Sequence, residues 1–273
     1  MSEFDSFTSV INRLLPEPQA SVLNGILFGV RGNIPKSYYQ ALIDTGTLHI
    51  IALSGMNITI LINLTARLTL FLGRKTSSLL TVGLIVLFVW FAGASPTIVR
   101  AGIMGSLSLV AVYFGRRYFA LLALILTSII MLIFDFSLVK NLSFQLSFLA
   151  TLGLILANNR GERQNKFSLG GKGWGRVFWP IKENFRLTLW AQLFTMPVIL
   201  HNFHRISIIS PAANLAIEWS IQPIMVLGFI TAISGWIWKP LGIIPGWLVW
   251  VPLTYLIYIV EWLAKITWAA IQF

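Results

Sequence analysis

Polar residues within apolar segments are the positions of this sequence that could do chemistry. They offer hydroxyl, amide, carboxylate or guanidinium groups, or a glycine that exposes backbone, where most neighbouring residues are aliphatic or aromatic. The candidates are Ser54, Gly55, Asn57, Asn63, Arg100, Gln145, Asn214 and Glu218. Because hydrocarbon cannot satisfy such groups, they must face water or another helix. We predict that they line a path by which a polar solute crosses a membrane.

Each candidate also has a structural interpretation, which the sequence leaves open. Gly55, Thr59 and Asn63 recur at every fourth residue, a spacing that also marks a close contact between membrane helices. Arg100 lies near the start of its apolar segment, so its side chain can instead extend to the membrane surface. Glu218 can occupy the same surface. The alternative to a path is therefore a set of helix contacts and surface anchors.

Gln145 is the candidate for which a structural role is hardest to find. It shares one helix face with Asn141, whereas Ser143, Ser147 and Thr151 line the opposite face. The hydroxyl groups can bond carbonyls of their own helix. The Gln145 amide is expected to reach another helix or an aqueous path.

The sequence offers little for a metal or catalytic site. It has no cysteine and only three histidines. His201 and His204 are three residues apart, but no glutamate completes a zincin motif and Arg205 would repel a cation. No phosphate-binding glycine loop, nucleophile elbow or carboxylate pair occurs. We therefore expect neither an enzyme nor a bound metal or cofactor.

The elements that position the candidates are membrane helices. Hydrophobic residues make up 56% of the chain and charged residues 11%, against about 25% charged in typical globular proteins, which excludes a large soluble core. A span needs about 20 mostly apolar residues. We predict an all-α, polytopic transmembrane domain of seven to eight spans. The segments lie near Leu48–Leu70, Leu79–Ala92, Pro96–Phe114, Tyr118–Phe134, Leu142–Ala157, Leu187–Leu200, Ala212–Trp236 and Ile243–Trp268.

Basic residues predict the orientation. The chain has 20 Lys and Arg against 9 Asp and Glu, and they concentrate in alternate connections of the first five spans. The positive-inside rule places these connections in the cytoplasm and the N-terminus outside. The long connection 158–186 is predicted to be a flexible, basic cytoplasmic loop on anionic headgroups. The net charge of +11 therefore reflects topology more than nucleic-acid binding.

The first residues form a separate segment. We assign 1–46 to an extracytoplasmic or interfacial segment and 47–273 to the transmembrane domain. Apolar residues from Val22 to Val30 recur at helical spacing, with Gln19, Ser21 and Asn24 elsewhere on the wheel. This pattern predicts an interfacial amphipathic helix, too short to cross, that lies on the membrane or re-enters it.

Five motifs in order resemble the competence domain of the ComEC-type DNA-uptake channel family. They are LPEPQASVLNGILFGVRGNIP (Leu15–Pro35), TGTLHIIALSGMNITI (Thr45–Ile60), ASPTIVRAGIM (Ala94–Met104), NLSFQLSFLATLGLI (Asn141–Ile155) and FHRISIISPAANLA (Phe203–Ala216). An ordered series of motifs is far more specific than any one of them. The resemblance extends from about Leu15 into the last spans.

The resemblance implies a multi-pass channel of the bacterial inner membrane that passes single-stranded DNA into the cytoplasm during natural transformation. Family members usually carry an external OB-like module and often a metallo-β-lactamase-like domain. This sequence has neither, so partner proteins are expected to supply external DNA binding, hydrolysis and a motor, and the channel could be an oligomer. Asn57 departs from the family's Ser-Gly-x-His pattern, and Glu218 lies in a region that is usually more apolar.

Two other function classes are compatible with the residues. A small-solute or ion transporter would use Glu218, Arg100 and the spans that Pro197, Pro223 and Pro252 interrupt. Coupling to protons or sodium would identify it. A non-conducting membrane scaffold would show no conductance in liposomes.

Overall fold

The structure is a computed structural model that describes residues 4–30, 32–51, 55–91, 93, 95–168, 175–203, 205–207, 209–266 and 270–272. The chain divides into two compact units. One unit combines Met1–Leu53 with Arg205–Phe273, and the other is Ser54–His204. The predicted boundary at residue 46 therefore does not separate the compact units, because the N-terminal residues cluster with the C-terminal ones.

The described residues are predominantly helical, as predicted. The α-helices are α1 (Phe4–Leu14), α2 (Gln19–Phe28), α3 (Lys36–Asp44), α4 (Gly55–Thr69), α5 (Arg74–Phe91), α6 (Pro96–Tyr113), α7 (Ala120–Phe134), α8 (Leu142–Ser168), α9 (Gly175–Phe203), α10 (Ser210–Ile237) and α11 (Lys239–Ala264). Short 3-10 helices cover Leu48–Ile51, Leu70–Leu72 and Phe136–Lys140. Two three-residue strands, which the sequence did not predict, pair antiparallel: β1 (Arg205–Ser207) and β2 (Ala270–Gln272).

Each predicted span overlaps one of the helices α4 to α11. Among the described residues, three helices are both long and apolar enough to cross a membrane by themselves: α6, α10 and α11. Shorter apolar stretches lie within α2, α4, α7 and α8. The chain is therefore a membrane-type helical protein. The first predicted span is shorter than expected, because α4 begins only at Gly55 and is preceded by a 3-10 helix.

Proline and glycine define the bounds of α6. Pro96 is its first residue, where a missing N–H costs no helical hydrogen bond. At the other end, Gly115 takes a φ of 65°, and the Arg116 N–H donates to the Ala111 carbonyl at 2.8 Å. This bond closes the last turn and ends the helix.

In the unit Ser54–His204, α6 packs against α4, α5, α7 and α8. Two glycines make these contacts close. A Cβ at Gly102 would lie 2.9 Å from Val89 Cγ2 on α5, and one at Gly105 would lie 2.9 Å from Ile62 Cδ1 on α4. Small residues therefore bring α6 against both neighbours.

In the other unit, α10 and α11 form a helical hairpin against which α1, α2 and α3 pack. Helix α2 lies where the amphipathic helix was predicted, but it is buried on all sides from Gln19 to Leu27. A helix that lies on the membrane surface with one face exposed does not fit this burial, whereas the re-entrant alternative stays a prediction. The periodicity of apolar and polar residues in a helix cannot show whether other helices cover its polar face.

Residues outside α2 bond one group of each of its buried polar side chains, while Gln19 Oε1 and Asn24 Oδ1 have no partner among the described residues. Gln19 Nε2 donates to Thr254 Oγ1 of α11 at 3.1 Å. Asn24 Nδ2 donates to Asn12 Oδ1 of α1 at 2.7 Å. The Ser21 hydroxyl contacts both the Glu17 carboxylate and, at 3.0 Å, the Asn33 carbonyl. Because buried polar groups are costly unless they are bonded, these contacts offset part of the cost of burying α2.

The predicted loop 158–186 is helical where the structure describes its backbone. Helix α8 continues to Ser168 and α9 begins at Gly175, while 169–174 lie outside the described residues. The prediction of a flexible loop over the whole range is therefore wrong. The reason is composition, since Glu162, Gln164 and Lys166 favour helix and most of the glycines fall in 170–175.

We expect the Tyr38→Phe variant to be at least as stable as the wild type. Tyr38 of α3 is 1% exposed, and its buried hydroxyl has no hydrogen-bond partner among the described residues. Burial, and to a smaller extent the Glu261 carboxylate, raises the pKa of Tyr38, so the phenol stays protonated at neutral pH. Removing an unsatisfied buried hydroxyl does not lower the free energy of unfolding, and the aromatic ring keeps its packing.

Thermal unfolding in detergent tests this expectation, with Tyr38→Ala as the control that removes the ring. A midpoint more than a few degrees lower for Tyr38→Phe would show that the hydroxyl has a stabilising partner.

Candidate functional site

Arg100 is held inside the helical unit Ser54–His204. It lies in the second turn of α6 and is 9% exposed. Its Nε donates to Ser147 Oγ of α8 at 2.7 Å, and its Nη1 contacts Met104 Sδ at 3.5 Å. Met104 is one turn further along α6, so the side chain runs away from the helix start. The alternative that Arg100 extends past the start of α6 to the membrane surface is therefore wrong.

The start of α4 forms the other side of the Arg100 environment. A Cβ at Gly55 would lie 3.3 Å from Arg100 Nη2 and 3.3 Å from Ala101 Cβ. Any larger residue at this position would press on the guanidinium. Gly55 therefore lets the α4 backbone approach Arg100.

The hydrogen-bonding capacity of this guanidinium is incompletely used. Nε has Ser147 and Nη1 has a weak sulfur acceptor, whereas Nη2 has no hydrogen bond to any described residue. Within the described part of the chain, no carboxylate pairs with Arg100 either. A guanidinium presents five donors in a fixed fork that matches phosphate and carboxylate geometry. The site is therefore a fixed cation with donors left for an anion.

The remaining α4 candidates differ in exposure. Asn57 is buried, with 3% of its surface exposed, whereas Asn63 is exposed. Thr59 is exposed as well, and its hydroxyl donates to the Gly55 carbonyl at 3.2 Å. Ser54 lies outside the described residues. The predicted face Gly55-Thr59-Asn63 thus runs from the Arg100 contact to an open side of α4.

Gln145 makes one local hydrogen bond. It is half-buried, and its Nε2 donates to the Val139 carbonyl at 2.8 Å in the preceding 3-10 helix. Asn141 similarly accepts the Ser143 N–H at 2.9 Å as the cap of α8. One amide N–H of Gln145 is therefore used locally, because carbonyls at the end of a 3-10 helix need donors. A role of the half-buried Gln145 amide in an aqueous path stays a prediction.

Asn214 and Glu218 belong to the other compact unit, where they lie one turn apart on α10. Asn214 Nδ2 contacts Ser210 Oγ at 3.5 Å, and its buried Oδ1 has no partner among the described residues. Glu218 is exposed. The structure thus gathers Gly55 and Arg100 into one cluster, and a role for Asn214 and Glu218 stays a prediction.

Ser147 is a site residue that is not among the candidates that the sequence offered. Its type suggested only a bond to its own helix, yet its Oγ accepts from Arg100, which is 47 positions earlier. The one signal for it was its place on the Ser143-Ser147-Thr151 face. Thr151 does behave as expected, since its hydroxyl donates to the Ser147 carbonyl at 2.8 Å.

We expect Ser147→Ala to destabilise the protein more than Ser143→Ala. The first change leaves the buried Arg100 Nε without its acceptor, at a cost of about 1–3 kcal/mol. The control removes an exposed hydroxyl from the same helix. The measurement is the thermal unfolding midpoint in detergent. Equal midpoints for the two variants would mean that the Arg100–Ser147 bond does not contribute to stability.

Comparison with known proteins places these residues in a family. A family model described as Competence protein matches residues 26–273 and so includes the whole Arg100 cluster. The chain belongs to the Competence protein family. The ComEC-type resemblance seen in the five motifs is thereby confirmed.

A Competence relative shows how far the likeness extends. The chain is 29% identical over 209 residues to ComE operon protein 3 of Bacillus subtilis (strain 168). The match covers 76% of this chain and 25% of the relative, so the chain corresponds to about a quarter of that protein's length. No solved structure matches the chain significantly.

Proposed function

We propose that the chain forms a membrane channel that passes single-stranded DNA into the cytoplasm during natural transformation. The observation that supports it most is the buried Arg100, fixed by Ser147 and bordered by Gly55, in a membrane-length helix of a Competence family protein. A cation whose donors are not all engaged can contact the phosphates of a passing strand.

A path with few cations suits the passage of a DNA strand better than its tight binding. Each phosphate that a protein neutralises strengthens binding and makes it more dependent on salt. A dense basic tract would retain the strand, whereas one fixed guanidinium among hydroxyl and amide groups can release it. In this proposal Ser54, Gly55, Asn57, Asn63, Gln145, Asn214 and Glu218 contribute the rest of the path. No recognition of base sequence is expected, because phosphates are common to every strand.

The finer topology is part of the proposal. Seven to eight of the helices α4 to α11 cross the bacterial inner membrane, with the N-terminus outside and the basic connections in the cytoplasm. The chain works with partner proteins that supply external DNA binding, strand hydrolysis and a motor, and it can assemble as an oligomer. It has no catalytic role itself. The similarity to ComE operon protein 3 supports the context of competence.

Reconstitution of the full chain into liposomes tests the proposal. We expect an ionic conductance that a single-stranded oligonucleotide on one side partly blocks, together with entry of the labelled strand into the lumen. A duplex of the same length is the control and should not enter. Liposomes without conductance and without strand entry would contradict the proposal and favour a scaffold.

Glu218→Gln separates a channel from a coupled transporter in the same liposomes. A channel should keep the conductance and the entry of DNA in this variant. A transporter should instead show solute uptake in fixed proportion to protons or sodium, and Glu218→Gln should abolish that coupling.

A further inference from the structure

An open apolar groove separates α5 and α6 on the surface of the unit Ser54–His204. Its volume is about 490 Å³. The lining is aliphatic or aromatic apart from one hydroxyl, and consists of Ile85, Val86, Val89, Trp90, Ile103, Ser106, Leu107 and Val110. A polar solute would find almost no hydrogen-bonding partner there, so the chemistry of the groove fits a hydrocarbon chain.

A cluster of cations lies at one end of this groove. Helix α5 begins with Arg74 and Lys75, and Lys75 Nζ lies 5.6 Å from the centre of the Tyr113 ring at the end of α6. The start of α5 and the end of α6 are therefore adjacent. Arg116 follows at the same end, because its N–H bonds back to the last turn of α6. All of these cations are exposed.

The distances from the cations to the groove suit one phospholipid. Val110 of the groove is three residues, or about 4.5 Å along the helix axis, from Tyr113. On α6 the lining ends at Ile103, ten residues or about 15 Å from Tyr113, and on α5 it begins at Ile85, ten residues or about 15 Å from Lys75. Half of a hydrocarbon layer of about 30 Å has the same depth. An acyl chain that starts beside the cations would therefore cover the α6 side of the groove and reach Ile85, the first α5 residue of its lining.

We propose that the α5–α6 groove is a binding site for an anionic phospholipid. The headgroup phosphate contacts the cations Lys75 and Arg116, and an acyl chain occupies the groove down to Ile85. Exposed aromatic residues at the same end, Phe71, Phe114 and Phe119, suit the boundary between headgroups and chains. DNA phosphates could use the same cations, but they would leave the apolar groove unoccupied, so a lipid accounts for more of the observations.

Native mass spectrometry of the full chain in detergent tests the headgroup part. The probes are phosphatidylglycerol and phosphatidylcholine with identical acyl chains. We expect the wild type to retain phosphatidylglycerol more tightly, and the Lys75→Gln/Arg116→Gln variant to lose roughly fivefold in affinity for each cation removed. The control Lys239→Gln/Lys265→Gln removes two exposed charges elsewhere and should keep the preference. If Lys75→Gln/Arg116→Gln still retained phosphatidylglycerol more tightly than phosphatidylcholine, the proposal would be overturned.

A second pair of variants tests the groove. Ser106→Trp places an indole in the groove and should lower the retention of both lipids at least several-fold. Gly83→Trp is the control, because a Cβ at this exposed position of α5 meets nothing within 4 Å. Unchanged retention in Ser106→Trp would overturn the proposal. The proposal would also be overturned if the wild type were a dimer and Ser106→Trp dissociated it. That result would show that a second copy of the chain occupies the groove.

A single-stranded oligonucleotide distinguishes lipid from nucleic acid at the cations. If the lipid site exists, the oligonucleotide should displace little phosphatidylglycerol, and groove variants should leave oligonucleotide binding unchanged. Oligonucleotide binding that depends on Lys75 and Arg116, with no preference between the two lipids, would overturn the proposal. None of these outcomes depends on whether the chain conducts DNA.

Discussion

Arg100→Met is expected to reduce DNA uptake at least about tenfold in a transformation assay, while the protein remains folded. The factor follows from the loss of a hydrogen bond between a charged group and a phosphate, about 1.5–3 kcal/mol, for a guanidinium that is almost completely buried. The assay counts transformants in cells that express the variant in place of the wild-type chain. Membrane abundance is measured in parallel, so that a loss of protein is not mistaken for a loss of uptake.

Methionine is chosen because it separates a transport role from a structural one. A long apolar side chain fills the space of the arginine stem, and removing a buried charge removes its desolvation cost. The thermal midpoint of Arg100→Met should therefore equal or exceed that of Arg100→Ala, which leaves a cavity. A purely structural role for Arg100 predicts that uptake follows stability in these two variants.

Arg100→Lys is the matched variant that retains the charge. Lysine keeps a cation on a flexible stem but loses the planar fork and the Nε donor to Ser147. We expect the DNA uptake of Arg100→Lys to lie between the uptake of the wild type and that of Arg100→Met. The salt dependence of uptake should not become steeper than in the wild type, because the charge is the same. Wild-type uptake in Arg100→Met would end the assignment of Arg100 to the DNA path.

The positions of most helices could be predicted because the physical causes are local. Every predicted span overlaps a helix, since long apolar runs leave the backbone few other ways to satisfy its hydrogen bonds in a membrane. Pro96 marked the first residue of α6 for a similarly local reason. The number of these helices that cross the membrane was harder to predict, because length and hydropathy identify only α6, α10 and α11 as spans within the described chain.

The polar contacts could not be predicted because their partners are distant in sequence. Gln19 is bonded to Thr254, 235 positions away, in a helix whose sequence looks amphipathic but which is buried by packing against α1, α10 and α11. The Arg100–Ser147 bond likewise joins two different helices. For Gln145, by contrast, the one partner found is a carbonyl only six residues earlier. A sequence shows which groups need partners but not which partners they find.

Gly242→Ala is expected to lower the thermal unfolding midpoint by about 5 °C, the cost of overpacking a helix contact. A Cβ at Gly242 of α11 would lie 2.7 Å from the Cα of Gly235 on α10, and a backbone atom cannot move aside as a flexible side chain can. The substitution must therefore separate the two helices of the hairpin that supports α1, α2 and α3.

Gly246→Ala is the matched control, on the same helix and one turn further along. Its added Cβ would meet Thr231 Cγ2 at 3.6 Å and Leu14 Cβ at 3.9 Å, which are ordinary contacts. Because alanine favours a helix over glycine by about 1 kcal/mol, this control should be neutral or stabilising. Opposite signs for one substitution at two buried glycines would reflect the close approach of Gly235 on α10 and of Leu14 on α1 to Gly242. Equal midpoints for the two variants would show that the hairpin relaxes around an added Cβ at Gly242 with little loss of stability. Close packing would then not explain why position 242 is a glycine.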